Sequence, residues 1–413
     1  MREHLLDRPG HSIRRRRTET DLAEIVLALD DGGPLSTMLV FDGNPAACYI
    51  ADGSSGVWYS TAGPKYRLAI HAIERVSELI DAQVLVPLQD LIRRQQGGIE
   101  QSQHTHATPA ELGQLQSEML EAEEHLFELS HMYVRLRNVS QQRLVLRAIM
   151  TKRFVATAAE GITEHALDVA RDCLAFLDGV YSFREARLLT GAAARAQYQT
   201  MTTGFRFEDL RETMRESGGE EGGRIREILG ATPADLIDLL ASSALNENRQ
   251  VIVFHHDLLG GRTLFALVQA AFGELFIECP SALLSARASS WPNKSLMPIK
   301  GKRVVLFSGP NRRGGLSSAF VKELTGGDEL LALDHRGKKR GFVLNGSVHV
   351  LGAQTTTPPE FDGGIDASLS GRLRFMSSNC ANEEWGGDSL KYYLMHEIMT
   401  VAATRFAARC RVV

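Results

Sequence analysis

Apolar residues recur at alternating three- and four-residue steps from Leu112 through Leu115, Met119, Ala122, Leu126, Leu129 and Tyr133 to Leu136. That spacing keeps one face of an α-helix apolar and predicts a long helix with one stripe. A stripe of fewer than four heptads is read as packing against its own domain, although it would also serve as a seam for self-association. Helical spacing covers Tyr66 to Arg94 and, with breaks, continues beyond Leu136 to about Ala170. Gln95 to Pro109, polar with Gly97-Gly98 and His104-Thr-His106, predicts a mobile loop. His104 and His106 would suit a metal only with further ligands nearby, and neither a Cys, an Asp nor a second His pair lies close, so the loop is the reading adopted. Upstream, residues 18–60 alternate short apolar runs with the turn chemistry of Asp31-Gly-Gly-Pro34, Asp42-Gly-Asn-Pro45 and Asp52-Gly-Ser-Ser-Gly56, which predicts a helix and then small strands.

The pattern changes past Ser217-Gly-Gly-Glu-Glu-Gly-Gly223, a flexible composition taken as the main domain boundary. Ile225 to Leu245 is helical in spacing, with Thr232-Pro-Ala-Asp235 as a helix start, and residues 250–380 alternate strands and helices as an α/β core does. Ser389 to Arg411 reads as a closing helix. Within the core, Val251-Ile-Val-Phe254 reads as a buried strand and Leu264 to Phe272 as a helix, and the segment between them is a near-match to a phosphate-binding loop. A working loop has the form G-x-x-x-x-G-K-[ST], in which backbone N–H groups cradle phosphates, the Lys reaches the terminal phosphates and the hydroxyl holds Mg²⁺. Here Gly260 and Gly261 lead to Thr263 at the hydroxyl position, but His256 stands at the first glycine and Arg262 at the lysine.

Composition limits the setting more than the chemistry. The chain has 413 residues with 23% charged and 44% hydrophobic residues, room for two or three domains with real cores. Its formal charge of −4 argues against a uniformly basic nucleic-acid coat while leaving room for a local basic patch. Cys48, Cys173, Cys279, Cys380 and Cys410 are odd in number and scattered, which predicts reduced buried thiols and an intracellular place of action, not a secreted one. Arg14 to Arg17 precede no apolar segment, so neither a secretory signal nor a membrane anchor is expected. That basic run suits phosphate binding or nuclear import, but a solvated terminus is the simpler account.

Several ordered stretches resemble the superfamily 3 helicases, in the branch of poxvirus-type and phage- or plasmid-encoded primase-helicases. Trp58-Tyr59, Leu174-Ala-Phe-Leu-Asp-Gly-Val-Tyr181 (with Asp178 where that branch has Asn) and Met201-Thr-Thr-Gly-Phe-Arg-Phe207 are similar to segments of its helical domain. Gly301-Lys-Arg-Val-Val-Leu-Phe307 and Val321-Lys-Glu-Leu-Thr-Gly-Gly-Asp328 resemble its Gly-x-Arg strand and Thr-Gly-Gly-Asp motif. Ser347-Val-His-Val-Leu-Gly352 is similar to its sensor strand, and Pro358, Asp366 and Arg372 fall where the family has Pro, Asp and an Arg that reaches a neighbouring subunit's nucleotide.

The resemblance implies an α/β P-loop (AAA+-like) ATPase core preceded by a mainly α-helical domain with a few short strands. The implied organisation is a basic tail over 1–17, a helical domain over 18–216, a linker over 217–223, the core over 224–388 and a terminal helix over 389–413. No primase region is expected ahead of the helical domain. The resemblance further implies hexameric rings and a hairpin facing DNA before the sensor strand. Asp334-His-Arg-Gly-Lys-Lys-Arg340 occupies that place, so His335, Arg336, Lys338, Lys339 and Arg340 are the candidate DNA contacts.

The departures decide the functional expectation. Phosphoryl transfer needs a backbone cradle, a cation on the terminal phosphates, Mg²⁺ held by a hydroxyl and an acid, and a group that places the water. The strand ending at Ser308 runs on into Gly309-Pro310 where the family has an acid, and the sensor Asn position falls on Gln354 or Thr355. Arg262 carries a larger planar cation than Lys, His256 brings a side chain to a glycine position, and Asp257 adds a carboxylate beside an anion site, poised to pair with Arg262. Metal and oxyanion-type contributions are each worth about several kcal/mol, so turnover should fall by many orders of magnitude. The expectation is a non-hydrolysing structural or regulatory DNA-associated subunit, retaining Arg262, Thr263 and Arg372 as residual candidates and holding no cofactor. It would assemble with itself, with an active relative or on DNA. ATP and Mg²⁺ would be the cofactors of the alternative, an active helicase in which Asp328 or Glu323 supplies the missing carboxylate. A third reading keeps only the fold, as a structural or packaging component of a virus particle.

Overall fold

The structure, a computed structural model, describes residues 18–411 except 31–32, 34, 42–47, 61–65, 105–107, 217–224, 226–227, 230–232, 248–250, 256–259, 285–293, 309–314, 334–336, 338, 345–346, 352–359 and 378–388. Two compact units emerge, one of Met1–Gly53 with Tyr59–Thr163 and one of Ser54–Trp58 with Glu164–Val413. The fold is mixed α/β with a helical unit. The Ser217–Gly223 segment taken as the main boundary lies outside the described residues, and residues 164–216 group with the sheet-bearing unit.

The first unit is mainly helical. α1 (Glu19–Leu29) starts at a capping box in which the Thr18 hydroxyl accepts from Asp21 N–H and the Asp21 carboxylate accepts from Thr18 N–H. β1 (Leu39–Val40) and β2 (Cys48–Ala51) pair antiparallel. α2 (Tyr66–Ile80) continues through a π-helical segment, Asp81–Leu85, into α3 (Val86–His104). The expected loop from Gln95 is therefore helical as far as His104. Ile92 and Ile99 are buried on one face of α3, and that packing against α4 (Pro109–Arg137) outweighs the cost of two helical glycines, about 1 kcal/mol each. The predicted stripe on α4 is its packing face, with Ala122, Leu129, Met132 and Leu136 buried. Asn138 then caps α5 (Val139–Ala159), accepting from the N–H groups of Ser140 and Gln141.

The second unit is organised by a five-stranded parallel sheet. Its strands, in chain order, are β6 (Val251–His255), β7 (Phe276–Pro280), β8 (Val304–Ser308), β11 (Ser347–Leu351) and β12 (Leu373–Ser377). In space they run β12–β6–β11–β8–β7, every pair parallel. Apolar residues alternate between its two faces as the strand period requires. Phe276, Val304 and Leu306 join a core with α7 (Pro233–Ala244), α8 (Gly260–Phe272) and α10 (Leu390–Cys410). Cys279, Val305 and Phe307 join another with α9 (Ser318–Gly326) and the hairpin of β9 (Leu330–Leu333) and β10 (Lys339–Phe342).

Ahead of the sheet, β3 (Cys173–Phe176), β4 (Gly179–Ser182) and β5 (Arg187–Leu189) form an antiparallel meander. Leu177-Asp178 turns the first hairpin, and the Asp178 carboxylate accepts from the N–H groups of Phe207 and Glu208, capping α6 (Phe207–Glu216). Either Asn or Asp performs that task, which accounts for Asp178 in its motif. Trp58 stacks on Tyr198 and donates its indole N–H to Arg195 O at 2.9 Å.

Three motifs far apart in sequence meet at the amino edge of β8. Arg303 is wholly buried and donates to the carbonyls of Ala170 (3.0 Å) and Cys173 (3.4 Å). Asp168 lies close enough for electrostatic pairing and accepts from Thr200 N–H at 2.7 Å and from its hydroxyl. Burial lowers the Arg303 guanidinium to about 10 and raises the Asp168 carboxyl, against the pull of each on the other. Gly301 adopts φ +74°, and a β-carbon there would lie 2.4 Å from Met201 Cε. Arg303 therefore joins the chain just ahead of Leu174 to the sheet, and Gly301 leaves room for Met201 beside it.

Arg303→Met should lower the unfolding free energy by about 3–5 kcal/mol, because buried Asp168 would keep only Lys300 as a nearby cation and the Ala170 and Cys173 carbonyls would lose their donor; denaturant titration measures it, and a loss below about 1 kcal/mol would contradict the assignment. Cys48, Cys173 and Cys279 are buried and Cys410 is exposed, so the expectation of buried thiols fails at Cys410, and Cys380 lies outside the described residues. Burial, aided by Asp172, raises the Cys173 thiol from 9.0 to about 11. The folded state thus keeps a proton that the unfolded chain releases above about 9, and this contribution to stability fades as pH rises through about 11. At pH 8, mass-spectrometric mapping with a thiol reagent should find Cys410 modified in the native protein and Cys173 only after unfolding.

Candidate functional site

A parallel sheet gathers all its strand ends of one kind at one edge, and ligands of open α/β sheets bind outside the carboxyl edge where strand order reverses. β6 is such a place: the chain leaves it for β7 at one side and later returns past it to β12 at the other. The strands that the motifs assigned to the loop, the sensor and the acid are β6, β11 and β8, and they lie side by side in that order. Their carboxyl ends are level, with Phe254 opposite Leu351 and Phe307 opposite Val350.

His256, Asp257, Leu258 and Leu259 lie outside the described residues. Gly260, Gly261, Arg262 and Thr263 form the first turn of α8, directly after them, and Thr263 is half-buried. A helix start offers free backbone N–H groups and the positive end of the helix dipole to an anion. Gly309, Pro310, Gln354, Thr355 and Pro358 also lie outside the described residues.

The sequence left no acid at the end of β8, and the structure brings one there from the next strand. Ser308, the last residue of β8, donates its hydroxyl to Glu278 Oε1 on β7. Both side chains alternate onto the face shared by Phe276, Val304 and Leu306, the face on which α8 packs. Glu278 is exposed and Ser308 half-buried. Sequence reasoning passed over Glu278, whose one signal is a charged residue inside the apolar strand Phe276-Ile-Glu-Cys-Pro280. Glu323 and Asp328, named as replacements, belong to α9 and its exit, and α9 packs on the opposite face of the sheet. Burial and neighbouring Asp328 raise the Glu323 carboxyl.

The Thr-Gly-Gly-Asp motif is the C-terminus of α9. The Thr325 hydroxyl donates to Val321 O at 2.7 Å, and Gly327 takes the left-handed conformation (φ +80°) that ends the helix. Arg372 donates to Lys322 O at 2.8 Å and Thr325 Oγ1 at 3.3 Å, so within its own chain it caps that same helix end. The Lys322 ammonium in turn binds the Asp366 carboxylate, which also accepts from Leu369 N–H and caps the turn Ala367–Ser370. The hydrogen bond from Lys322 lowers the Asp366 carboxyl below its ordinary value.

Of the basic stretch before the sensor strand, Lys339 and Arg340 begin β10, and Lys339 pairs with Leu333 of β9. Lys339 is exposed, whereas Arg340 is half-buried and 3.9 Å from Glu164, which Lys300 also meets at 2.9 Å. His335, Arg336 and Lys338 lie outside the described residues, as do Arg14 to Arg17 and the side chains of His104 and His106. Among the described residues no group of three or more His, Cys, Asp or Glu side chains is placed to hold a metal.

No protein-family model matches the chain, and a comparison with curated proteins finds no match. Among solved structures, the A form apo structure of the C-terminal region of NrS-1 is similar over 48% of this chain and 43% of that one, at 16% identity and a TM-score of 0.28. The chain thus matches less than half of that structure's length, and so loose a likeness assigns neither fold nor activity. Among the described residues no helix is long and apolar enough to cross a membrane.

Arg372→Ala should cost about 1–3 kcal/mol of stability, since it removes charged hydrogen bonds from a helix end. Thermal unfolding tests this, and an unchanged midpoint would show that Arg372 does not hold the end of α9.

Proposed function

We propose that the second unit is a degenerate P-loop core of superfamily 3 helicase type, in a subunit that associates with DNA without hydrolysing ATP. The observation that carries this reading is the row β6–β11–β8 with level carboxyl ends, in which the loop, sensor and acid strands of the motif order become neighbours. Phosphoryl transfer demands that adjacency, since loop, water-placing group and acid act on one phosphate. The β9–β10 hairpin, carrying exposed Lys339 beside the basic residues of 334–338, is the proposed contact with DNA phosphates. Self-association, or assembly with an active relative, supplies the ring that such a hairpin requires.

Turnover is lost for chemical reasons. Ser308 ends the strand where a carboxylate would act, and a guanidinium replaces the compact ammonium in the loop. Purified protein should release no phosphate from ATP above background, with or without DNA; steady release abolished by Arg262→Ala would overturn the reading. Replacing Lys338 and Lys339 with Glu should weaken DNA binding and reduce its salt slope by about one per lysine. Fluorescence anisotropy across a salt series measures both, and unchanged binding would remove the hairpin from the proposal.

A further inference from the structure

We infer that the helical unit docks onto a second copy of this chain, with the acidic apolar face of α4 in one copy lying on the basic apolar face of α5 in the other. Both faces belong to the first unit, and neither depends on the phosphate-loop reading of the second.

α4 carries two apolar stripes. Ala122, Leu129 and Leu136, seven residues apart, are buried where the helix packs within its unit. Leu120, Phe127 and Val134 repeat at the same spacing two residues earlier, and at about 100° per residue this sets them on the opposite side of the helix. They are 67%, 73% and 63% exposed, so the described residues leave this second stripe uncovered. Scattered apolar side chains on a surface are ordinary, whereas three in register at heptad spacing form the kind of seam that a partner helix engages.

α5 presents a matching face. Leu144 and Val155, about three turns apart, are both exposed, and Thr151 lies between them on the same side. Val145, Leu146, Ile149 and Met150 are buried on the other side.

Charge decides which partner fits. Exposed Glu123 and Glu124 flank the α4 stripe on its two sides, while exposed Arg143 and Arg147 run along the α5 stripe. Among the described residues none of these four side chains meets an opposite charge within its own chain. Arg143 and Arg147 are also one helical turn apart, where like charges repel. Two α4 faces laid parallel would set carboxylate against carboxylate, and two α5 faces guanidinium against guanidinium. α4 laid on α5 pairs opposite charges in either direction. Exposed ion pairs add little affinity by themselves, so the apolar stripes supply the contact and the charges select the partner.

Sedimentation velocity of the full chain over a concentration series tests this. The native protein should self-associate. Glu123→Arg with Glu124→Arg, and separately Arg143→Glu with Arg147→Glu, should each weaken association by about a hundredfold, because like charges then face each other. An equimolar mixture of the two variants should recover it, since each offers the charge that the other lacks, and one chain carrying all four changes should associate as the native protein does. A native protein that stays monomeric overturns the inference, as does a mixture that fails to recover association. Loss with the α4 changes but not the α5 changes would assign the contact to two α4 helices and contradict the pairing. Association that none of the changes weakens overturns the inference while leaving a ring built by the second unit standing. All four side chains are exposed, so circular dichroism of each variant should match the native protein.

Discussion

A parallel hydrogen-bond ladder has a direction, and the second unit depends on it. Because β6, β7, β8, β11 and β12 all run the same way, each must be joined to the next by a crossover, and every carboxyl end is delivered to one edge. The helix after β6, the hydroxyl closing β8 and the exit of β11 are drawn to that edge by the ladder. What the edge can do is then set by side chains within one or two residues of the strand ends.

At the opposite edge lies a buried cation. Arg303 enters the core at the amino end of β8 and satisfies carbonyls of the segment leading into β3, with Asp168 near it. A buried guanidinium contributes little net stability when paired and costs a great deal when its partner is lost, so its effect is to specify position. It joins the segment leading into β3 to the sheet, alongside the apolar core that Leu174, Phe176 and Phe183 share with Val304 and Leu306, and residues 164–216 group with that unit.

Much of this was legible in sequence because it depended on local pattern. Helical spacing marked α4 and α10, alternation with turns marked the core, and Asp31-Gly-Gly-Pro34 and its kin marked the short elements near the start. One expectation failed where tertiary packing overrode composition. Gly97-Gly98 is helical because Ile92 and Ile99 bury one face of α3. Glu278 was invisible for another reason: a residue's role at a strand end depends on which strand lies beside it, and neighbours in a parallel sheet are not neighbours in sequence.

On the proposed reading, the carboxyl edge at β6 is a phosphate site that has kept its place and lost its turnover. Hydrogen–deuterium exchange of the full chain with ATP and Mg²⁺, followed by peptide mass spectrometry, tests it most directly. Added protection is expected in peptides spanning 255–266, with the ATP recovered intact at the end of labelling. Protection confined to other peptides, or protection accompanied by conversion of the ATP to ADP, would contradict it.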